Sequence, residues 1–533
     1  MLTEDSQQPD GDSASPFGLP DGARVNIGAG NYGFIEFNNA SRWRALATQP
    51  GDLRARIFFG RKGSGKTIYL RRMEAHASAQ PDLHSVKPDY NPLPTNLVVR
   101  FGQNFTAYTV TEGWTRLWRI AILRSVAAQI LFDPSLSTRF SKNELESLNH
   151  FSICTGVPPL QAALTIFDNV KVLIAACTSR NGTDRVLEDA AWLHLDTVLK
   201  TLVHKCPPLC FYIDAIDDEF SHAPMYWMHC QRGLFTQIMW LLRDAVYGSR
   251  LHVFACLRDL VLVRVLAGEH AMRFIESEYI RPLFWDFEAA SRFLNKKVEA
   301  LSKRYYVQYD RDGTLLERWL GFSEITNEAR NTVEPVDQYL LRHTRLLPRD
   351  VIILGNALCE SIARGALNAA DSNREKHFRQ VVSQWARSFG KEQLVICTNQ
   401  ISSDQMPAEA GAKKYSDVYT SIAEYRDGIL EQLGALIEGL RTDRFKAAAI
   451  SRRRKKIDRE FESADPFQAL WQNGLLGYVE KRAGGDRFIF YGDHQLQSFK
   501  LPRAAEYVFH PCILDTLNIK SVGSQPVIPY YKE

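Results

Sequence analysis

The sequence predicts an α/β fold, a parallel sheet covered by helices, followed by a helical unit and a C-terminal helix-and-hairpin unit. Three observations predict it. Continuous apolar runs at 55–59, 209–213 and 251–257 alternate with stretches of helical periodicity, the pattern of strands buried on both faces. A glycine-rich octapeptide, residues 60–67, separates the first run from a helix. Strand-like runs then largely cease after residue 285, until two short ones flank a Gly-Gly turn near the C-terminus.

At roughly 100–200 residues per domain, 533 residues make several domains. The expected divisions are a disordered polar tail over 1–23, an α/β core over 24–285, a helical lid over 286–397 and a C-terminal unit over 413–533. Residues 398–412, rich in Ser, Asp, Gln, Pro and Gly, read as a linker.

Within the core, a helix is expected over 67–78 and a Pro/Asn/Asp-rich loop over 80–95. Residues 96–101 read as a second strand. Trp114, Leu117, Trp118, Ala121 and Ile122 recur at helical spacing and predict a long helix over 113–132. Helical segments follow over 158–205, interrupted near 179–183, and over 231–247. Beyond the core, 286–304 and 336–365 read as helical.

Hydrophobic residues at 45% and charged residues at 24% are ordinary for a soluble globular chain. The net charge of +4 leaves any nucleic-acid surface to a local patch. Nine cysteines, an odd count without regular spacing, argue against a disulfide framework. Cys210 and Cys256 sit in apolar runs, as small hydrophobes of a reducing compartment. No apolar stretch of about 18 residues is present, and the polar N-terminus does not read as a signal peptide. A cytoplasmic protein, off the membrane, is expected.

Gly60, Arg61, Lys62, Gly63, Ser64, Gly65, Lys66 and Thr67 fit G-x-x-x-x-G-K-[ST] at every fixed position. Glycines let successive backbone N–H groups turn inward toward phosphate oxygens, and the following helix adds its positive end. Lys66 is the cation for β- and γ-phosphates, and the Thr67 hydroxyl is a ligand for Mg²⁺. ATP with Mg²⁺ is the expected cofactor. A second pattern, Gly28, Gly30 and Gly33, is followed by a strand-like run instead of a helix, so it reads as a turn.

The run Leu209-Cys210-Phe211-Tyr212-Ile213 ends in carboxylates: Asp214, Asp217, Asp218 and Glu219. With the strand expected beside the first one, Asp214 is the acid for the magnesium side. Asp217 or Asp218 is the general base for an attacking water, with Glu219 in reserve. The run 251–257 ends in Arg258, a cation placed to meet a γ-phosphate. Arg345 and Arg349 precede a helix, where the alternatives are a phosphate contact and a structural salt bridge.

Taken together, these motifs are similar to the STAND and AAA+ branch of P-loop ATPases over roughly residues 50–360. The segment 344–350 resembles that branch's lid-helix motif, in which an arginine, here Arg349, is a second sensor. The resemblance implies a P-loop NTPase core, a helical lid and a winged-helix module, working as an ATP-hydrolysing switch. Many bacterial members act in defence against phages, which implies an effector protein encoded nearby. Asp218 stands where the branch carries Glu, which bears on the speed of hydrolysis and not on binding. Asn295-Lys296-Lys297 is followed by Val298, so the guanine-reading motif is absent and ATP is favoured over GTP.

Near the C-terminus, residues 466–472 read as a helix, and 475–479 and 487–491 as a hairpin around Gly484-Gly485, followed by more helix. The run Arg452, Arg453, Arg454, Lys455 and Lys456 is either a DNA-phosphate contact or a solvated helix face. His510 reads as structural. A DNA-binding ATPase of the origin-recognition or helicase-loader kind is the rival reading, a non-catalytic scaffold a third, and self-assembly into a homo-oligomer stays open.

Overall fold

The computed structural model describes residues 15–25, 56–88, 93–151, 156–161, 165–214, 219–266, 279–283, 285–367, 373–403, 415–457, 465–491 and 500–529. Five strands form one all-parallel sheet: β1 (Ile57–Gly60), β2 (His84–Ser85), β3 (Leu209–Ile213), β4 (Leu251–Arg258) and β5 (Ile280–Pro282). Their order is β2-β3-β4-β1-β5. The helices around them are α1 (Lys66–Ser78), α2 (Thr95–Gly102), α3 (Val110–Phe132), α4 (Ile166–Ala176), α5 (Arg180–Leu187), α6 (Ala191–Leu202) and α7 (Pro224–Arg243). The expected α/β class is borne out.

Strand alternation sends side chains to both faces of the sheet. Ile57, Phe59, Phe211, Val253 and Leu257 join the main core with Trp114 and Trp118 of α3 and Trp227 of α7. Phe58, Cys210, Tyr212, Phe254 and Cys256 instead pack with Tyr69, Leu70 and Met73 of α1. Covering both faces is what made these strands continuous apolar runs.

Sheet order creates a switch point. From β1 the chain crosses by way of α1 to the far edge at β2; from β4 it passes to β5 on the other side of β1. The connections leaving these neighbouring strands therefore diverge, and open α/β sheets bind ligands in the crevice such divergence leaves. Gly60 and Arg258 are register partners at its mouth.

The structure corrects several expectations. Residues 96–101 are not a strand but part of α2. Thr95, Val98, Val99 and Gly102 are buried at helical spacing. Glu219 accepts the Thr95 N–H at 2.8 Å, and Trp227 Nε1 donates to Thr95 Oγ1 at 3.2 Å. Tertiary burial overrides the β-branched preference of Val98-Val99. β3 does not lie beside β1, because β4 stands between them. Nor does the tail expected through residue 23 hold for 15–23. Phe17 is buried 5.2 Å from the Trp319 ring, its N–H donates to Asn356 Oδ1 at 2.8 Å, and Arg71 donates to Gly22 O at 2.9 Å.

Beyond the sheet come α8 (Phe287–Glu299), a hairpin of β6 (Glu324–Asn327) and β7 (Thr332–Pro335), then α9 (Val336–Arg342), α10 (Pro348–Ala363), α11 (Arg374–Ser402) and α12 (Tyr415–Glu438). The hairpin escapes the sequence pattern because two of its inward residues, Asn327 and Glu334, are polar, with Ile325 the apolar one. Asn327 donates to Glu334 at 2.8 Å, and Glu334 accepts from Arg342 at 2.8 Å. The helix expected over 336–365 is split between α9 and α10. α11 runs through 398–402 of the expected linker, while 404–412 lie outside the described residues.

The last unit contains β8 (Arg444–Lys446), α13 (Ala447–Ile457), α14 (Pro466–Gln472), β9 (Leu476–Arg482), β10 (Gly485–Phe490) and β11 (Glu506–Phe509). Its antiparallel sheet has the order β10-β9-β11-β8. The expected helix and hairpin are present. Among the described residues, β11 and a 3₁₀ turn, Pro511–Ile513, stand where more helix was expected. The described cysteines are buried, none in a disulfide. No helix among the described residues is long and apolar enough to cross a membrane.

Candidate functional site

At the switch point the chain leaves Gly60, turns through 61–65 and enters α1 at Lys66. Gly63 and Gly65 have φ of 92° and 91°, left-handed backbone that favours glycine. Gly65 is the N-cap residue of α1, and no side chain caps the helix there. The first N–H groups of a helix lack intrahelical acceptors, so this end is suited to an anion. A Cβ on Gly60 would come within 2.3 Å of Ser64 Oγ. That hydroxyl is buried without a hydrogen-bond partner among the described residues. Lys66 is buried too, and its ammonium donates to Gly60 O at 3.0 Å and Arg61 O at 3.2 Å. Thr67 is half-buried on the first turn. Lys62, also half-buried, lies on the turn itself.

Neighbouring elements tie the loop down. Arg61 Nε lies 3.5 Å from Asp259 Oδ2, at the end of β4, and Trp285 Nε1 donates to Ser64 O at 3.0 Å. The Arg349 N–H donates to Gly63 O at 3.3 Å, and a Cβ on Gly63 would lie 2.8 Å from Arg349 Cβ. The start of α10 thus rests directly on the loop.

Arg345 does otherwise. Its Nε and Nη2 donate to Asp350 at 2.7 and 2.8 Å, both side chains fully buried. Arg345 thus forms the structural salt bridge, while Arg349 lies against the loop. His510, on the C-terminal unit, is also fully buried. Burial foremost, with the Arg61 and Arg345 cations, pulls its pKa down to about 3, so the ring is neutral. Its Nδ1 accepts the Cys512 N–H at 3.1 Å, which places the proton on Nε2.

On the acidic side, Asp214 is buried directly after β3. Two strand spacings, roughly 10 Å, separate that strand from β1. Arg258 is buried at the end of β4; its N–H donates to Gln231 at 3.1 Å, and its guanidinium stands 5.8 Å from the Phe220 ring centre. Glu219 caps α2 through Thr95 and is committed there. Asp217 and Asp218 lie outside the described residues, as does the 28–33 glycine pattern.

Of the basic run, Arg452 is exposed and Arg453 donates to Gly439 O at 2.6 Å. Arg454, Lys455 and Lys456 continue α13, with side chains outside the described residues. The Arg61–Asp259 pair and the Trp285 tie join residues too distant in sequence to leave a pattern; His510 is structural, as expected. Comparison with known proteins finds no matching family model, no matching curated protein and no matching solved structure.

Proposed function

We propose that this chain binds a nucleoside triphosphate, ATP with Mg²⁺, at loop 60–67, and that hydrolysis switches the packing of the units around it. One observation carries the reading. A loop with two left-handed glycines, a buried lysine and an uncapped helix start lies at the sheet's switch point, with an arginine-bearing helix resting on it. The buried Ser64 hydroxyl, without a hydrogen-bond partner among the described residues, and the Gly60 and Gly63 positions, where a Cβ would clash, fit a phosphate cradle.

In this reading Lys66 and the loop N–H groups hold phosphates. The Thr67 hydroxyl ligates the magnesium ion, and Asp214 accepts from its water shell. Arg258 and Arg349 approach from two sides, and Asp217 or Asp218 serves as general base. The motifs support membership of the STAND and AAA+ branch of P-loop ATPases, with residues 286–397 as a lid and the α14–β9–β10 unit as a winged-helix-like module. An effector partner, and a role in bacterial defence, follow from that resemblance alone.

Calorimetry with Mg·ATP tests the binding reading. Lys66→Ala removes charge-assisted contacts worth about 1.5–3 kcal/mol each, so affinity should fall about a hundredfold or more. Unchanged affinity would remove the assignment.

A further inference from the structure

A cavity of about 840 Å³ lies between α9, α11 and residues 511–521. No residue of 60–67 lines it. Its volume lies toward the upper end of the roughly 300–1,000 Å³ of ordinary small-molecule sites.

His343 lines this cavity and is only 8% exposed, yet neither ring nitrogen has a hydrogen-bond partner among the described residues. Both nitrogens are buried, so the ring meets the cavity through its edge carbons. Burial, with Arg342 and His510 nearby, keeps the ring neutral.

The charge lining is lopsided. Arg342 is held by Glu334 and Arg379 by Glu328, but Lys376, Arg387 and Lys520 line the cavity with no ion pair among the described residues. Of the two carboxylates that line the cavity, Glu328 pairs with Arg379 and Asp515 has no ion pair among the described residues. The cations come from separate places, two from one face of α11 and one from the chain after β11. Three unneutralised cations around a concave, polar space, with a buried imidazole in its wall, suit a compact anion. A hydroxyl or amine on that anion would suit Asp515.

We infer that this cavity is a second ligand site, for a phosphate-bearing small molecule, with Arg387 and Lys520 on the phosphate and neutral His343 in its wall. The inference does not depend on the nucleotide reading of the loop.

The test is calorimetry with inorganic pyrophosphate on the full-length Lys66→Ala protein, which lacks the loop's lysine. Single-site binding is expected, weakened about tenfold or more by Arg387→Gln with Lys520→Gln. Both positions are exposed, so the fold should survive. Asp515→Asn should strengthen pyrophosphate by removing a like charge. Absent binding, or binding indifferent to both changes, overturns the site. If a single-stranded oligonucleotide binds and is lost with the Arg387/Lys520 pair while pyrophosphate does not bind, the surface is a nucleic-acid contact and the small-molecule site is overturned.

Discussion

Loop 60–67 and the cavity beside His343 are two polar hollows built in opposite ways. The loop is one contiguous segment whose backbone conformation, set by Gly63 and Gly65, forms the hollow. The cavity is assembled from side chains of α9, α11 and 511–521, far apart in sequence. A backbone site must keep a fixed residue spacing, so it leaves a motif; a side-chain site leaves none. The two are nevertheless separated by common walls. Along 342–349, Arg342 and His343 line the cavity while Arg349 touches Gly63. Along 510–515, Pro511 and Asp515 line the cavity, and His510 senses the charge of Arg61.

The largest effect should come from breaking that wall. Arg345→Ala leaves Asp350 as an uncompensated buried charge and should cost about 3–5 kcal/mol of stability. Arg349→Ala, four residues away, should change stability by less than about 0.5 kcal/mol. Urea unfolding of both variants checks the contrast. Equal costs would mean that the two arginines do not divide into a structural and a loop-facing one.

Acid should weaken the wall next. His510 is held down to about 3 and His343 well below its ordinary 6.5, both chiefly by burial; His229, in the core, is held to about 4. The unfolded chain takes up protons at these histidines first, so stability is full above about pH 6.5 and falls as pH drops toward 4. The loss is up to roughly 1.4 kcal/mol per pH unit for each histidine. His510→Asn should flatten this slope; a slope left unchanged would show that His510 is not a buried neutral ring.

A smaller effect belongs to Asp214→Asn. Through a water-mediated contact it should raise the magnesium concentration needed for ATP binding by about tenfold, with unfolding unchanged. A parental magnesium titration would remove Asp214 from the metal side.

What was legible follows the same division. β3 and β4 were readable because burial on both faces demands unbroken apolar runs. α2 was misread because a six-residue apolar window carries both periods, and its helical state is settled by Glu219 and Trp227, more than a hundred residues away. The β6–β7 hairpin was missed because Asn327 and Glu334 point inward toward Arg342. Strand order lies in no local pattern, so β4 between β1 and β3 was not foreseen. Of the residues proposed for the site, 60–67, Asp214 and Arg258 were visible as motif and strand ends; the hold on Gly63 by Arg349 was visible only as one of two arginines.

The central claim is that loop 60–67 holds a triphosphate whose last phosphate meets Arg349 and Arg258. The direct measurement is the affinity of Arg349→Ala and of Arg258→Ala for Mg·ATP and for Mg·ADP. Losing one charge-assisted contact to the γ-phosphate should weaken ATP about ten- to a hundredfold and leave ADP within about twofold. Equal weakening of both nucleotides would contradict the account.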